Sequence, residues 1–180
     1  MARKLALREF QSHLNERVLA AKTAGETASW LAVEAGVAAV RLLIPLSHAG
    51  EIFPWSGVQR VPYAQDWFMG VANLRGNLSA VVDLARLVAP QQAPPGARSE
   101  NQLRQCRLVG FNPVLEVNCA LLVDRLIGLR TPEAFAASIP APEGGAQYYG
   151  HVYQEADGQA WQEINLQALA RDPSFLSVGV

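Results

Sequence analysis

The sequence predicts a mainly β protein, built either as paired small barrels or as a sandwich, on three observations. Short apolar runs recur between residues 29 and 164. Turn signals separate these runs at intervals of about ten residues, which is typical of sandwiches and barrels. A stretch rich in proline and glycine, residues 89–101, divides the chain into two β-rich halves. Each half is near the size of one small five-stranded barrel.

Residues 2–22 are predicted to form an N-terminal helix, because apolar side chains recur at steps of three and four residues. This stripe consists of Leu7, Phe10, Leu14, Val18 and Ala21. The helix is expected to end near Gly25, a favoured C-terminal cap residue. The stripe either packs on the body of the same chain or docks on a partner. We therefore divide the chain into a helical extension (1–25), a main domain (26–172) and a tail (173–180).

The first β-rich half begins with predicted strands at residues 29–33 and 37–44, joined by a turn at Ala35-Gly36. A further strand is predicted at residues 46–53. A tight hairpin then covers residues 70–84, with its turn at Gly76-Asn77, since a two-residue turn needs positive φ angles. This hairpin would hold Arg75 out at a surface. Asp83, at the end of its second strand, is predicted to cap a short helix.

The second half follows a linker near residues 89–103 and is predicted to contain strands at residues 107–111 and 117–123. A last hairpin over residues 148–164 is predicted to turn at Asp157-Gly158. A short helix is expected over residues 165–171. Asp83-Leu84-Ala85-Arg86-Leu87 and Asn165-Leu166-Gln167-Ala168-Leu169 share one pattern, which hints at an internal duplication.

Composition and motifs argue against several classes of function. The formal net charge of -1 provides no basic field for nucleic acid. No apolar stretch suggests direct membrane insertion or a signal peptide, so we expect a cytoplasmic protein. HExxH, GxSxG and phosphate-binding glycine motifs are missing from the sequence, and His13, His48 and His151 are widely spaced. We predict no catalytic, cofactor-binding or metal-ligating residue, and Cys106 and Cys119 are expected to be buried or half-buried thiols.

A few polar and aromatic side chains leave alternatives open. Arg75 is either a solvated loop charge or an interface anchor, because arginine combines an apolar stem, a planar face and five donors. Arg75 and Asp83 form the most suggestive charged pair, although they do not lie directly opposite each other. The neighbours Asp124 and Arg125 are interpreted as a local ion pair. The aromatic residues before the hairpin are core residues or, if exposed together, a docking patch; they are Trp55, Trp67 and Phe68.

Several segments, taken in order, resemble the CheW family, the adaptor proteins of bacterial chemosensory arrays. They are Leu43-Ile44-Pro45-Leu46, Glu51-Ile52, Val61-Pro62, Gly70-Val71-Ala72-Asn73-Leu74-Arg75-Gly76, Ala80-Val81-Val82-Asp83-Leu84, Leu121-Leu122-Val123-Asp124-Arg125-Leu126, Gly150-His151-Val152 and Ile164-Asn165-Leu166. The match spans residues 28–171. Within the family, the helical extension and the sequence as a whole most resemble PilI-type adaptors, which act in the control of type IV pili and twitching motility. Asn165 departs from the family's usual aspartate.

The resemblance implies a fold of two SH3-like five-stranded β-barrels. It also implies a non-enzymatic coupler between the cytoplasmic tip of a chemoreceptor and the regulatory domain of a histidine kinase, recruited to membrane-associated receptor arrays. A pilus pathway is expected, with flagellar chemotaxis as the alternative; a small β-barrel hydrolase or metal enzyme is disfavoured. The matching motif residues imply partner contacts at Glu51, Gly70, Asn73, Leu74, Arg75 and Gly76.

Overall fold

A computed structural model describes residues 28–92, 98–141 and 143–180. The predicted N-terminal helix and its end at Gly25 lie outside the described residues. The described strands are β1 (Trp30–Ala35), β2 (Val40–Pro45), β3 (Ala49–Pro54), β4 (Phe68–Leu74), β5 (Asn77–Asp83), β6 (Arg107–Phe111), β7 (Cys119–Val123), β8 (Arg125–Arg130), β9 (Ala137–Ile139), β10 (Tyr149–Gln154) and β11 (Ala160–Ile164). The described helices are α1 (Leu84–Val88), α2 (Glu100–Gln105), α3 (Leu166–Leu169) and α4 (Pro173–Leu176), with 3₁₀ turns at Pro113–Leu115 and Pro132–Ala134.

The strands form two sheets, which confirms the mainly β class and the two β subdomains. The five-stranded sheet has the order β3-β6-β7-β5-β4, and the six-stranded sheet has the order β8-β1-β2-β11-β10-β9. The sixth strand, β9, has three residues and adds one strand to the expected five. Most neighbours are antiparallel, but β5 pairs with β7, and β2 with β11, in parallel.

The two sheets do not correspond to the two halves of the chain, and that part of the prediction is wrong. The six-stranded sheet combines β1 and β2, from the start of the described chain, with β8 to β11 from its end. Residues 89–103 connect β5 to β6 within the five-stranded sheet, and part of this predicted linker is helix α2. Local turn signals mark where strands end, but they carry no information about which distant strands pair.

The sheets repeat one arrangement around their parallel pairs. The strands β5 and β11 each lead directly into a short helix. The last residue of β5 caps the first helix, and the residue that follows β11 caps the second. The Asp83 side chain accepts a hydrogen bond from the Arg86 backbone N–H, and the Asn165 side chain accepts one from Ala168. The predicted cap at Asp83 and the two predicted short helices are thus confirmed, the cap at Asn165 is a further finding, and the two matching segments occupy matching places. The duplication itself stays a hypothesis.

The core has three layers because the central strands are covered on both faces. Between the sheets, Val33 and Ile44 pack with Val82 and Leu121 in one large cluster. A second cluster on the far face of the five-stranded sheet includes Leu103, Cys106, Leu108 and Leu122. A third, around Trp30 and Trp161, covers the far face of the six-stranded sheet. Strands buried on both faces are stiff supports for the loops at their ends.

Candidate functional site

The β4–β5 hairpin contains five of the six predicted contact residues, and its turn lies one residue earlier than predicted. Leu74 pairs with Asn77, so the turn residues are Arg75 and Gly76 rather than Gly76 and Asn77. Their φ angles are 49° and 88°, as in the type I′ turns that suit tight hairpins. The Asn73 side-chain oxygen accepts a hydrogen bond from the Gly76 N–H at 2.7 Å. The turn thereby fixes the direction in which Arg75 leaves the backbone.

Arg75 is exposed and forms an ion pair with Glu51. An Arg75 guanidinium nitrogen lies 2.6 Å from a Glu51 carboxylate oxygen, and 75% of the arginine side chain remains accessible. Glu51 belongs to β3 and Arg75 follows β4, the opposite edges of the five-stranded sheet, so this contact shows how far the sheet curls. An ion pair this exposed contributes about 0–1 kcal/mol to folding. It orients the guanidinium more than it stabilises the fold.

Gly70 and Leu74 lie beneath this surface instead of on it. Gly70 has a φ of 136°, and a Cβ there would lie 2.1 Å from the Gln59 carbonyl oxygen. Gln59 and Val71 exchange two backbone hydrogen bonds of 2.8 and 2.9 Å, so the chain around Gln59 covers the edge of β4. Leu74 is 6% exposed and packs in the second core cluster. Both residues support the hairpin from inside the isolated chain.

The predicted contact residues that remain form one exposed surface with a neighbouring apolar side chain. Leu78 lies directly across the hairpin from Asn73 and is 66% exposed. We call Glu51, Asn73, Arg75, Gly76 and Leu78 the hairpin surface. It offers a charged fork, an amide and an apolar patch on a stiff support, which is the mixture found where proteins bind each other.

A buried charge cluster at the other end of β5 escaped the sequence reasoning. The Arg98 guanidinium donates hydrogen bonds to Asp83 and, at 2.9 and 3.0 Å, to both oxygens of Asp124. Burial lowers the pKa of Arg98, but the hydrogen bonds and charges of the two aspartates outweigh it and raise the pKa above its ordinary value. The available signal was a pair of aspartates, each at the end of an apolar strand and each in need of a cation.

The cluster changes two interpretations of the charged residues. Arg75 and Asp83 lie at opposite ends of β5, and each has another partner. Asp124 pairs with Arg98, while Arg125 pairs with Glu34 at 3.2 Å, so the expected local pair of Asp124 with Arg125 is wrong. Adjacent residues at the end of a strand point in different directions, and each therefore meets a different neighbour.

A cleft of about 570 Å³ adjoins the cluster, between the loop at residues 55–67, the first residues of β4 and the start of α2. Trp55 and Phe68 line it, whereas Trp67 stacks on Phe175 with 5.5 Å between ring centroids. The three aromatic residues are half-buried and form walls and core, so they make no joint exposed patch. Neither His48 nor His151 borders the cleft.

The thiols and the acidic groups offer little for chemistry. Burial raises the pKa of Cys106 to about 11, with a further contribution from the Asp124 charge, and burial raises the pKa of Cys119 to about 12. Both thiols are buried and free, as predicted, and stay protonated and weakly nucleophilic near neutral pH. Across residues 28–92, 98–141 and 143–180, we find no group of three or more histidine, cysteine or acidic side chains that could hold a metal ion.

Taken together, the two sheets carry the hairpin surface on a rigid support, an arrangement that is typical of protein-binding modules. The family model of the CheW-like domain matches residues 31–174, and the chain belongs to this family of non-enzymatic scaffold proteins in chemosensory signalling. The chain is similar to protein PilI of Pseudomonas aeruginosa, with 27% identity over 154 residues, covering 84% of this chain and 82% of that protein. The resemblance found in the sequence is thus confirmed.

The fold is similar to that of the scaffolding protein TtCheW from Thermoanaerobacter tengcongensis. The TM-score is 0.59 at 15% identity, and the match covers 76% of this chain and 88% of that one. This likeness concerns the fold alone and supports the two β subdomains. Within the described part of the chain, no helix has the length and apolar character that crossing a bilayer requires.

Proposed function

We propose that this protein couples the cytoplasmic tip of a chemoreceptor to the regulatory domain of a histidine kinase, and that it does so without catalysing a reaction. In this proposal it acts in the cytoplasm at membrane-associated receptor arrays. Coupling requires that the protein bind two partners and favour one of their joint arrangements, because a signal passes only through contacts that differ between two states.

The observation that carries the proposal is the hairpin surface, above all Arg75. Its guanidinium is exposed, fixed by a tight turn and held by Glu51 from the opposite edge of the sheet. Arginine in such a setting loses little side-chain freedom on binding and presents five donors, so it suits a binding hot spot. Leu78, which lies across the hairpin from Asn73, adds exposed apolar area to the same surface.

We further propose that the pathway is the one that controls type IV pili and twitching motility. The similarity to PilI of Pseudomonas aeruginosa along most of both chains supports this choice. An adaptor of flagellar chemotaxis is the alternative. The two are separated by testing which kinase regulatory domain the protein retains, the one encoded with pilus genes or the one encoded with flagellar genes.

The test is a co-purification of the full chain with a receptor tip fragment and with the kinase regulatory domain. We expect Arg75→Glu to weaken binding to at least one of them by about 30-fold or more, since loss of a hot-spot arginine costs about 2 kcal/mol or more. Arg171→Glu is the matched control, because it makes the same charge change at another exposed position. Its binding should equal that of the wild type.

A second variant separates contact with a partner from the internal ion pair. Glu51→Arg combined with Arg75→Glu restores an ion pair with reversed ends. If Arg75 touches a partner, this double variant stays defective. Binding of Arg75→Glu at wild-type strength, or full recovery in the double variant, would remove Arg75 from the binding surface and refute the proposed site.

A further inference from the structure

The loop at residues 55–67 keeps a defined place although little of it is buried. Each of these residues, all of which the structure describes, is half-buried or exposed. The loop nevertheless lies along the outer edge of β4, where Gln59 and Val71 exchange two backbone hydrogen bonds. A surface segment with few buried contacts opens easily unless hydrogen bonds hold it. The contacts that hold this loop therefore also act on the edge of β4 and on the hairpin that begins there.

A second segment, residues 173–180, pairs with this loop, and we call it the strap. The Gln65 backbone N–H donates to the Val178 carbonyl oxygen at 2.8 Å, and the Val180 N–H donates to the Tyr63 carbonyl oxygen at 3.0 Å. An isolated antiparallel bridge lies between these two hydrogen bonds. The Tyr63 and Val180 side chains are 84% and 82% exposed, so backbone atoms carry this contact.

One aromatic ring anchors the strap in the central core. Phe175, on α4, is 6% exposed and stacks against Trp67 with 5.5 Å between ring centroids and against Phe111 with 6.2 Å. The Asp172 side chain accepts hydrogen bonds from the backbone N–H groups of Ser174 and Phe175 and thereby caps α4. The start of the strap is thus fixed, and the residues that follow reach the loop from a firm base.

The backbone of Tyr63 gives a separate sign that the strap imposes the shape of the loop. Its φ of 56° lies in the left-handed region, which residues with a Cβ atom disfavour. Such a conformation persists only where the surrounding structure enforces it. The carbonyl group of the same residue accepts the hydrogen bond from Val180. The strap therefore contacts the loop at the residue whose conformation most needs support.

We propose that the strap positions the hairpin surface without being part of it. The strap holds the loop, the loop holds Gln59 against β4, and the Gln59 carbonyl constrains the path of the chain at Gly70. Because the strap follows β11 and α3, it also ties the end of the six-stranded sheet to the edge of the five-stranded sheet. The consequence for partner binding rests on the proposed function, whereas the geometry can be tested without a partner.

The geometry is tested by amide hydrogen exchange, followed by NMR on the full chain and on two variants of Val180. Val180→Pro removes the N–H that bonds to Tyr63, and Val180→Ala keeps it and is the matched control. We expect the amide hydrogens of Gln59 and Val71 to exchange about fivefold faster in Val180→Pro, the effect of about one lost hydrogen bond. In Val180→Ala they should exchange at the wild-type rate.

A second control separates a local effect from a general loss of stability. Ile127→Val removes one methyl group from the third core cluster, on the far face of the six-stranded sheet. This variant lowers the stability of the whole fold and leaves the strap intact. Exchange at Gln59 and Val71 should therefore stay at the wild-type rate in Ile127→Val. An equal acceleration in Ile127→Val and Val180→Pro would overturn the role of the strap.

The effect on the hairpin surface is read from NMR signals and from binding. Val180→Pro should shift the amide signals of Arg75 and Gly76. It should also weaken the partner that Arg75→Glu loses by about threefold or more, as expected for a residue that acts through its neighbours. Val180→Ala should do neither. If Val180→Ala weakens binding as much as Val180→Pro, the strap touches the partner itself, and the positioning role is overturned.

The remaining outcomes are also decisive. Unchanged exchange at Gln59 and Val71 in Val180→Pro overturns the inference, and so does faster exchange with unmoved signals of Arg75 and Gly76. Shifted signals with undiminished binding confine the strap to a role in the fold and overturn its role in binding. A wild-type chain that binds neither partner refutes the proposed function instead, and exchange and signals then decide about the strap by themselves.

Discussion

At the scale of single residues, Arg75 occupies a backbone conformation that its residue type disfavours. Its φ of 49° lies in the left-handed region. Residues other than glycine and asparagine pay on the order of 1 kcal/mol there. The first turn position of a type I′ hairpin prefers asparagine or glycine. An arginine in this place runs against the local preference of the chain, which is understandable if its guanidinium is used for binding.

The cost of this conformation leads to a prediction in which stability and binding change in opposite directions. Arg75→Asn should raise the free energy of unfolding by about 0.5–1 kcal/mol, because asparagine accepts the left-handed region and the exposed ion pair contributes little. The same variant should lose the partner that Arg75→Glu loses. Urea unfolding and co-purification measure the two effects. Lower stability, or undiminished binding, would contradict this explanation of Arg75.

The functional side chains differ in how far the sequence could reveal them. Asp83 was predictable as a cap, because it stands between an apolar strand and a helical pattern. The hairpin turn was predicted one residue too late, because Arg75-Gly76 and Gly76-Asn77 each contain a glycine that permits positive φ. Arg98 could not be found from local patterns, because its partners Asp83 and Asp124 are distant in sequence and meet only when the sheets form.

At the scale of elements, the β4–β5 hairpin depends on a close approach of backbone to backbone. The pairing of β4 with β5 is irregular between Phe68 and Gly70, and at this point the chain at Gln59 lies against β4. A side chain at Gly70 would meet the Gln59 carbonyl, which a backbone shift alone can relieve. Gly70 therefore shapes the hairpin surface from a distance, without any exposure of its own.

Two glycines of the same motif should respond differently to alanine. Gly76→Ala places a Cβ in open space at a φ of 88°, so we expect a loss of about 1 kcal/mol in unfolding free energy. Gly70→Ala adds a clash with backbone to a φ of 136°, and the loss should reach about 3 kcal/mol or more. Urea unfolding of both variants measures the difference. Equal losses would show that the approach of Gln59 places no constraint on Gly70.

The sequence patterns identified those elements whose formation depends on residues close together in the chain. The hairpin of β10 and β11 turns at residues 155–158, as the Asp157-Gly158 signal indicated. Helix α2 was missed inside the proline-rich stretch, although Ser99 and Gln102 form a capping box that announces it. The nearby proline and glycine residues favoured the prediction of a loop, although the spacing of Ser99 and Gln102 already indicated the start of a helix.

At the scale of the whole molecule, the exchange of segments between the sheets makes each half of the chain dependent on the other. In the five-stranded sheet, β6 and β7 separate β3 from the hairpin of β4 and β5. In the six-stranded sheet, β1 and β2 lie between β8 and β11. The central core also joins side chains from both sheets, such as Val33 and Val82. Neither half contains a complete sheet or a complete core.

This dependence predicts how the protein behaves when the chain is divided within the connection that precedes Arg98. A fragment of residues 1–92 contains β1 to β5 but lacks β6 and β7, which lie between β3 and β5. A fragment of residues 98–180 contains β6 to β11 but lacks β1 and β2, which lie between β8 and β11. Each fragment alone would expose the apolar faces that the other covers, and the conformational entropy lost on folding would not be offset. We therefore expect each fragment to be unfolded by circular dichroism and by dispersion of amide NMR signals.

The two fragments expressed together should associate and recover the β spectrum of the intact chain. A compact, cooperatively unfolding 1–92 fragment would mean that the first half folds by itself, which the exchanged sheet topology does not allow.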